Sequence, residues 1–160
     1  MTSNPSTHLF AGSLLTWHAT AEDTGGAYAM AEAYVPAGAE PPVHIHARED
    51  EVYYVLDGEV TFQRGLEIIE ASAGDSVVLP RGLQHGFAVQ SGDARVLFVA
   101  SPAGIEDAFL ALGSDATEGE LPGPPSGPPT PEAVAAMTAA FGEKGIEFTG
   151  PPLAMLLSQA

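Results

Sequence analysis

The chain of 160 residues contains no cysteine. This absence excludes disulfide bonds, thiolate metal ligands and a thiol nucleophile. Any metal ion that the protein binds must therefore be held by nitrogen and oxygen atoms. A chain without disulfides suits a reducing compartment, and we expect a cytoplasmic protein.

Basic residues are scarce. Five Lys and Arg residues stand against 21 Asp and Glu residues, which gives a formal net charge of −16. A polyanion repels phosphate groups, so the composition argues against nucleic acid, anionic membranes and sugar phosphates as ligands. The sequence also shows no signal-peptide pattern and no apolar run long enough to span a bilayer. We expect a soluble protein whose substrate is a small, neutral or weakly acidic organic molecule.

Short apolar segments separated by turn residues dominate residues 14–101. The Asp57-Gly58 dipeptide is the strongest turn signal, because it favours the positive φ angles of a tight hairpin. The spacing predicts eight strands, at 14–20, 27–35, 51–57, 59–64, 67–71, 76–79, 86–90 and 94–100. Eight short strands at this spacing indicate an all-β sandwich or barrel. We expect this barrel at 14–101, after an N-terminal segment at 1–13.

The chain changes character in its C-terminal part, residues 102–160, where we expect a helical extension. Apolar residues at helical spacing predict a helix over 105–112, and a Gly/Pro-rich linker follows at about 113–129. A second helix is expected to begin with Thr130 as its N-cap and Pro131 in its first turn. Its apolar stripe is suited to docking on the barrel or on a partner subunit and consists of Val134, Met137, Ala140 and Phe141.

Two histidines and an acidic cluster mark the candidate site. His44 and His46 are two residues apart, so both imidazoles project from the same face of an extended strand. Neutral imidazoles that converge inside a barrel are suited to a divalent first-row metal ion. Glu49, Asp50 and Glu51 compete for the role of carboxylate ligand. We favour Glu51, because it begins a strand, whereas Glu49 and Asp50 fall in the turn, where solvated acids are normal.

A third histidine follows a second segment, GDSVVLPRGLQH. His85 shares a strand face with the apolar Phe87 and Val89, which indicates that its side chain points inward. An inward imidazole in an apolar barrel needs a polar partner, and a metal ion would supply one.

Both segments resemble the sequence motifs of the cupin superfamily. The first matches G-x5-H-x-H-x4-E-x6-G at every fixed position, and the second matches G-x5-P-x-G-x2-H-x3-N except at its last position, where Val89 replaces Asn. The matching residues are Gly38, His44, His46, Glu51, Gly58, Gly74, Pro80, Gly82 and His85. The resemblance implies a double-stranded β-helix (jelly-roll) barrel. It also implies that His44, His46, Glu51 and His85 hold one divalent ion of Fe, Ni, Mn, Co, Cu or Zn.

A finer resemblance links the chain to the small bacterial monocupins that are grouped with quercetin 2,3-dioxygenase. It rests on HIHAREDEVYYVLDGEVTF, on SPAGIEDAF after the last strand, and on PPTPEAV before the closing helix. It implies a metal-dependent dioxygenase that cleaves a flavonol, or a similar enolisable aromatic, with O2. In such an enzyme Glu51 would act as general base. Cupins of this size are usually homodimers, so we expect a homodimer.

Two other functions remain open at this point. One is a polyketide-type cyclase or isomerase, in which the metal polarises a carbonyl group and no O2 is consumed. The other is a cupin that binds a small molecule without catalysis, since one fold hosts many functions. Aromatic residues on inward faces either form plain barrel core or line a substrate pocket near the metal, and the candidates are Tyr53, Phe62, Phe87 and Phe98.

Overall fold

Two antiparallel β-sheets pack face to face in the computed structural model, which describes residues 5–117 and 119–159. The strands of the seven-stranded sheet are β1 (Ser6–Phe10), β2 (Ser13–Ala19), β3 (Ala29–Pro36), β5 (Asp50–Asp57), β8 (Ser76–Leu79), β10 (Asp93–Ser101) and β11 (Ser114–Asp115). They lie in the order β11-β1-β2-β3-β10-β5-β8.

The second sheet has five strands and contributes most of the candidate site. Its strands are β4 (Pro42–His46), β6 (Glu59–Arg64), β7 (Glu67–Ser72), β9 (His85–Val89) and β12 (Ile146–Pro152). They lie in the order β12-β4-β9-β6-β7. The all-β jelly-roll architecture with C-terminal helices is therefore confirmed.

Side chains that alternate along the strands fill the space between the two sheets. On β10 the buried residues are Ala94, Val96, Phe98 and Ala100, and the residues between them are exposed or half-buried. This period of two is that of a strand with one face on a core. Full burial of one large apolar side chain contributes about 1.5–3 kcal/mol, so the buried aromatic and aliphatic residues dominate the stability of the barrel.

The eight strands predicted from the sequence correspond to β2, β3 and β5–β10, and their ends agree within two residues. The sheets nevertheless extend beyond residues 14–101 at both ends. β1 lies in the N-terminal segment and pairs with β2, while β12 lies in the C-terminal extension and pairs with β4. Sequence patterns did not indicate β12, because Gly150, Pro151 and Pro152 interrupt it.

The described part of the chain has four helices, namely α1 (Ala21–Thr24), α2 (Glu106–Leu112), α3 (Pro131–Glu143) and α4 (Leu153–Leu157). The predicted cap of α3 is present, because the Thr130 side chain accepts a hydrogen bond from the Ala133 nitrogen at 3.2 Å. Only the C-terminal half of the predicted stripe docks: Phe141 is buried, whereas Val134 is exposed. No helix in the described part of the chain has the length and apolar character needed to cross a bilayer.

The segment predicted as a linker runs along the barrel surface. Apart from β11, its described residues form no helix or strand between α2 and α3. A β-carbon built on Gly12, whose φ is +86°, would lie 3.3 Å from Cγ of Pro125. The linker therefore passes close to the turn between β1 and β2.

Candidate metal centre

Three strands bring the four residues singled out by the motifs together. His44 and His46 lie on β4, and His85 pairs directly with His44 across the β4–β9 ladder. Glu51 reaches the same place from β5 of the other sheet. Each residue offers one ligand atom, and these four atoms all lie within 4.8 Å of one another. The group therefore combines three imidazoles and one carboxylate from facing sheets.

Close packing beneath the histidines depends on Gly86, the residue after His85. A β-carbon at Gly86 would lie 2.8 Å from Cγ1 of Val43, which is closer than real side chains approach. The absence of a side chain lets β9 lie against β4 at this point. The backbone thus sets the distance between His44 and His85.

The four side chains are almost completely buried. Their exposed fractions are 8% for His44, 1% for His46, 3% for Glu51 and 2% for His85. Burying titratable groups in an apolar barrel is unfavourable unless each group has a partner. Their clustering therefore requires a physical explanation.

Hydrogen bonds on the far side of each imidazole fix its orientation. Nδ1 of His44 lies 2.7 Å from the Pro42 carbonyl oxygen, and Nδ1 of His85 lies 3.0 Å from that of Leu83. Because a carbonyl oxygen only accepts, both Nδ1 atoms donate their protons outward. In the neutral rings Nε2 then carries a lone pair that points into the group, as in metal-binding histidines.

Two buried atoms at the centre of the group lack hydrogen-bond partners among the described residues. They are Oε2 of Glu51 and Nε2 of His85, which lie only 3.2 Å apart. Nε2 of His46 lies 3.8 Å from the same carboxylate oxygen. In the neutral form of His85 that donates through Nδ1, Nε2 carries a lone pair against the carboxylate oxygen, so neither atom can donate to the other. A cation at this point would satisfy both atoms, so the residues fit a divalent metal bound by three nitrogens and one oxygen.

The protonation states of Glu51 and His44 suit such a ligand set. Burial would raise the pKa of Glu51, but the imidazoles of His46 and His85 outweigh it and hold the pKa at about 2. Burial, aided by His85, lowers the pKa of His44 to about 4. At neutral pH Glu51 is therefore ionised and His44 is neutral, which is the state in which each binds a metal. Burial lowers the pKa of His46, but the carboxylates of Glu51 and Glu49 outweigh this effect and raise it.

The expectation that both acids of the turn are solvated is wrong for Glu49. Asp50 fits it, because its exposed carboxylate pairs with Arg81 at 2.8 Å. Glu49 is only 3% exposed, and its Oε2 lies 3.2 Å from Nδ1 of His46. No periodicity signals this, because the side chain turns inward from an irregular segment.

The four inward aromatic residues form a packed cluster beside the group. Tyr53 follows Glu51 by two residues on the same face of β5. Its ring centroid lies 5.5 Å from that of Phe62 and 5.7 Å from those of Phe87 and Phe98. Burial and the charge of Glu51 raise the pKa of Tyr53 well above its usual value, so its hydroxyl stays protonated. Contact of these residues with a substrate stays a prediction.

Sequence reasoning missed one aromatic neighbour, Phe148. This residue on β12 pairs with His44 on β4, and the two ring centroids lie 6.0 Å apart. Phe148 is half-buried, and His44 is the most exposed residue of the four. The residue of the group with the largest exposed fraction is therefore the one next to Phe148.

Comparison with known proteins identifies the class. Residues 31–100 match the cupin domain family. The quercetin 2,3-dioxygenase of Aspergillus japonicus is 35% identical over 80 residues, which cover 47% of this chain and 23% of that enzyme. The quercetin 2,3-dioxygenase of Bacillus subtilis is 26% identical over 103 residues, which cover 64% of this chain and 30% of that enzyme.

A solved structure shows the same fold. The RmlC-like cupin from Shewanella frigidimarina superposes with a TM-score of 0.57 at 22% sequence identity, covering 67% of this chain and 92% of that one. Residues 31–100 therefore form a cupin domain, and the chain has the cupin fold. The chain is similar to quercetin 2,3-dioxygenases over part of their length, since it covers less than a third of each of the two enzymes compared.

Proposed function

We propose that the chain is a metal-dependent cupin dioxygenase that cleaves a flavonol, or a similar enolisable aromatic, with O2. The observation that carries this proposal is the buried group of His44, His46, Glu51 and His85, with two facing acceptor atoms that a cation would satisfy. The partial similarity to two quercetin 2,3-dioxygenases supports the substrate class.

The overall reaction needs no further reagent. One flavonol and one O2 give one carbon monoxide and one ring-opened ester, so atoms and electrons balance without another oxidant or reductant. A bound divalent ion of Ni, Fe, Mn, Co, Cu or Zn would supply Lewis acidity that lowers the pKa of the substrate hydroxyl group. The ligands of this ion would be His44, His46, Glu51 and His85.

Glu51 is proposed to accept the hydroxyl proton of the substrate. Its pKa of about 2 keeps the carboxylate ionised at neutral pH, so it is in the form that accepts a proton. A carboxylate of such low pKa holds a proton weakly, so Glu51 suits a temporary acceptor that passes the proton on. His44 and His85 already donate through Nδ1 to backbone carbonyl oxygens, which leaves Glu51 as the acid–base group of the set.

The substrate is proposed to enter beside His44 and Phe148, because His44 has the largest exposed fraction of the four residues. The half-buried ring of Phe148 offers an apolar surface for an aromatic substrate at this side. On the other side the packed cluster of Tyr53, Phe62, Phe87 and Phe98 excludes water, and its Tyr53 hydroxyl can hydrogen-bond to a polar substrate atom. A neutral or weakly acidic substrate also fits a chain of net charge −16.

One observation favours an alternative reaction. The interior aromatic rings are in mutual contact, and Phe62 and Phe98 are buried, so the barrel suits a compact ligand better than a large one. A cyclase or isomerase acting on such a ligand would use the same metal to polarise a carbonyl group, without consuming O2. The two reactions can be distinguished because only the dioxygenase consumes O2 and releases carbon monoxide.

Aerobic assay of the metal-loaded protein tests the proposed reaction. With quercetin we expect loss of the flavonol absorption, consumption of one O2 and release of one carbon monoxide per substrate. Carbon monoxide reports cleavage of the central ring, which slow autoxidation does not. If several flavonols remain unchanged with Fe, Ni, Mn and Co loaded in turn, the substrate class is wrong and the alternative is favoured.

We also propose that the protein is a homodimer. Neighbouring strands β5 and β8 expose apolar side chains on the outer face of the seven-stranded sheet, namely Val52, Tyr54, Leu56 and Val78. Contiguous exposed apolar surface of this kind marks interfaces between proteins.

Light scattering at micromolar concentration is expected to give twice the chain mass of 16.4 kDa. Val78→Asp is expected to shift the protein toward monomer, because it places a charge in the apolar face. Leu66→Asp is the matched control, because Leu66 is fully exposed in the turn between β6 and β7. A wild-type protein that scatters as a monomer would refute the dimer.

A further inference from the structure

Glu49 is a buried carboxylate in a segment that is otherwise exposed. It lies between β4 and β5, next to Ala47 and Arg48, which are exposed, yet only 3% of Glu49 is accessible. A surface turn gives an acidic side chain free access to water, so an inward orientation needs a compensating interaction. The structure shows that interaction as the contact between Oε2 of Glu49 and Nδ1 of His46, at 3.2 Å.

The three imidazoles of the candidate metal centre differ in what they donate to. His44 and His85 donate to the neutral carbonyl oxygens of Pro42 and Leu83. His46 is the one imidazole of the three whose Nδ1 faces a carboxylate. A hydrogen bond to an ionised acceptor is stronger than one to a neutral acceptor, and it makes the opposite ring nitrogen a better electron-pair donor.

Glu49 contacts His46 from the side opposite to the candidate metal centre. Its oxygen lies at Nδ1, whereas Nε2 of the same ring is the atom directed at Glu51, 3.8 Å away. The ring of His46 therefore separates Glu49 from the group. In this arrangement Glu49 contacts His46 and is not in a position to be a fifth ligand.

We propose that Glu49 is a positioning residue that orients His46 and strengthens its binding of a divalent metal ion. The proposal rests on the metal centre put forward under the proposed function and adds a residue to it. Glu49 holds the proton of His46 on Nδ1, so that Nε2 presents its lone pair to the ion. Together with Glu51 it also places two carboxylates around one divalent cation, which balances the buried charge.

Metal affinity, measured without any substrate, tests this role. The wild type, Glu49→Gln and Glu49→Ala are titrated with Co(II) and Ni(II) in competition with a chromophoric chelator. The visible absorption of bound Co(II) is recorded alongside. Glu49→Gln retains an oxygen that accepts the hydrogen bond but removes the charge, whereas Glu49→Ala removes both. We expect affinity to fall about 10-fold in Glu49→Gln and up to about 100-fold in Glu49→Ala, with a shifted Co(II) spectrum.

A matched control separates this effect from the general cost of changing a buried acid. Glu106 is also buried, but its carboxylate accepts hydrogen bonds from the backbone nitrogens of Ala21 and Gly104. Glu106→Gln is expected to lower the urea midpoint of the metal-free protein while leaving metal affinity unchanged.

The outcomes distinguish a failure of the proposed metal centre from a failure of the proposed role of Glu49. If the wild type binds neither ion, the proposed metal centre fails. If the wild type binds, and both Glu49 variants bind equally well with an unchanged Co(II) spectrum, Glu49 has only a structural role and the inference is overturned. If only Glu49→Ala weakens binding, the hydrogen bond is upheld and the contribution of the charge is refuted.

Discussion

Replacing His85 by alanine is expected to lower the metal content of the purified protein from about one ion per chain to below about a tenth. The reason is that Nε2 of His85 lies 3.2 Å from Oε2 of Glu51, at the centre of the buried group. Removal of the His85 imidazole takes away one of the three nitrogen ligands, and it leaves the buried carboxylate of Glu51 with fewer favourable interactions. Elemental analysis after dialysis against a weak chelator measures the effect, and His44→Ala should behave alike.

The controls for this prediction lie in the same chain. His8 is a histidine of β1 that lies 3.5 Å from Asp115, outside the candidate metal centre. His8→Ala should therefore retain the wild-type metal content. Thermal unfolding of each metal-free variant verifies that the barrel still folds. Full metal occupancy in both His44→Ala and His85→Ala would contradict the assignment of these residues as ligands.

Replacing Glu51 by glutamine is expected to reduce turnover of quercetin by about 100-fold or more, since general acid–base groups typically contribute that much. Glutamine keeps the shape of the side chain and an oxygen that can bind a metal, but it cannot accept the substrate proton. Release of carbon monoxide, expressed per bound metal ion, measures the loss. This normalisation separates proton transfer from any decrease in occupancy.

An exposed acid provides the comparison. Glu59 lies at the start of β6 and is exposed, so Glu59→Gln should leave turnover unchanged. Wild-type activity in Glu51→Gln would be compatible with the proposed metal centre but would refute the proposal that Glu51 is the general base. Turnover without carbon monoxide, in either protein, would point to a reaction other than cleavage of the central ring.

The barrel and its site were largely predictable because both depend on short sequence patterns. A spacing of two residues places His44 and His46 on one face of β4, and alternation along β5 places Glu51 inward. At Asp57-Gly58 the predicted turn is present, but the predicted hairpin is wrong, because β5 and β6 lie in different sheets and do not pair. Gly58 has φ +90°, and a β-carbon there would lie 2.7 Å from the Asp93 carbonyl oxygen. Local geometry of this kind can be predicted from short sequence patterns.

The parts that could not be predicted depend on contacts between distant segments or on an irregular turn. β12 pairs with β4 across about a hundred residues and contains Gly150 and two prolines, so no strand pattern marks it. Phe148 therefore reaches His44 without any local signal. Glu49 lies three residues from His46, but whether its side chain turns inward depends on the path of the backbone between β4 and β5. Spacing alone cannot distinguish it from Asp50.

X-ray absorption at the metal edge of the purified, metal-loaded protein tests the central claim most directly. The account predicts one divalent ion per chain, coordinated by three imidazole nitrogens and at least one carboxylate oxygen at about 2.0–2.2 Å. Glu49→Gln should retain this ligand set, because Glu49 faces the opposite side of His46. A bound ion with fewer than three imidazoles, or a wild-type protein that takes up no divalent transition metal, would contradict the buried metal centre of His44, His46, Glu51 and His85.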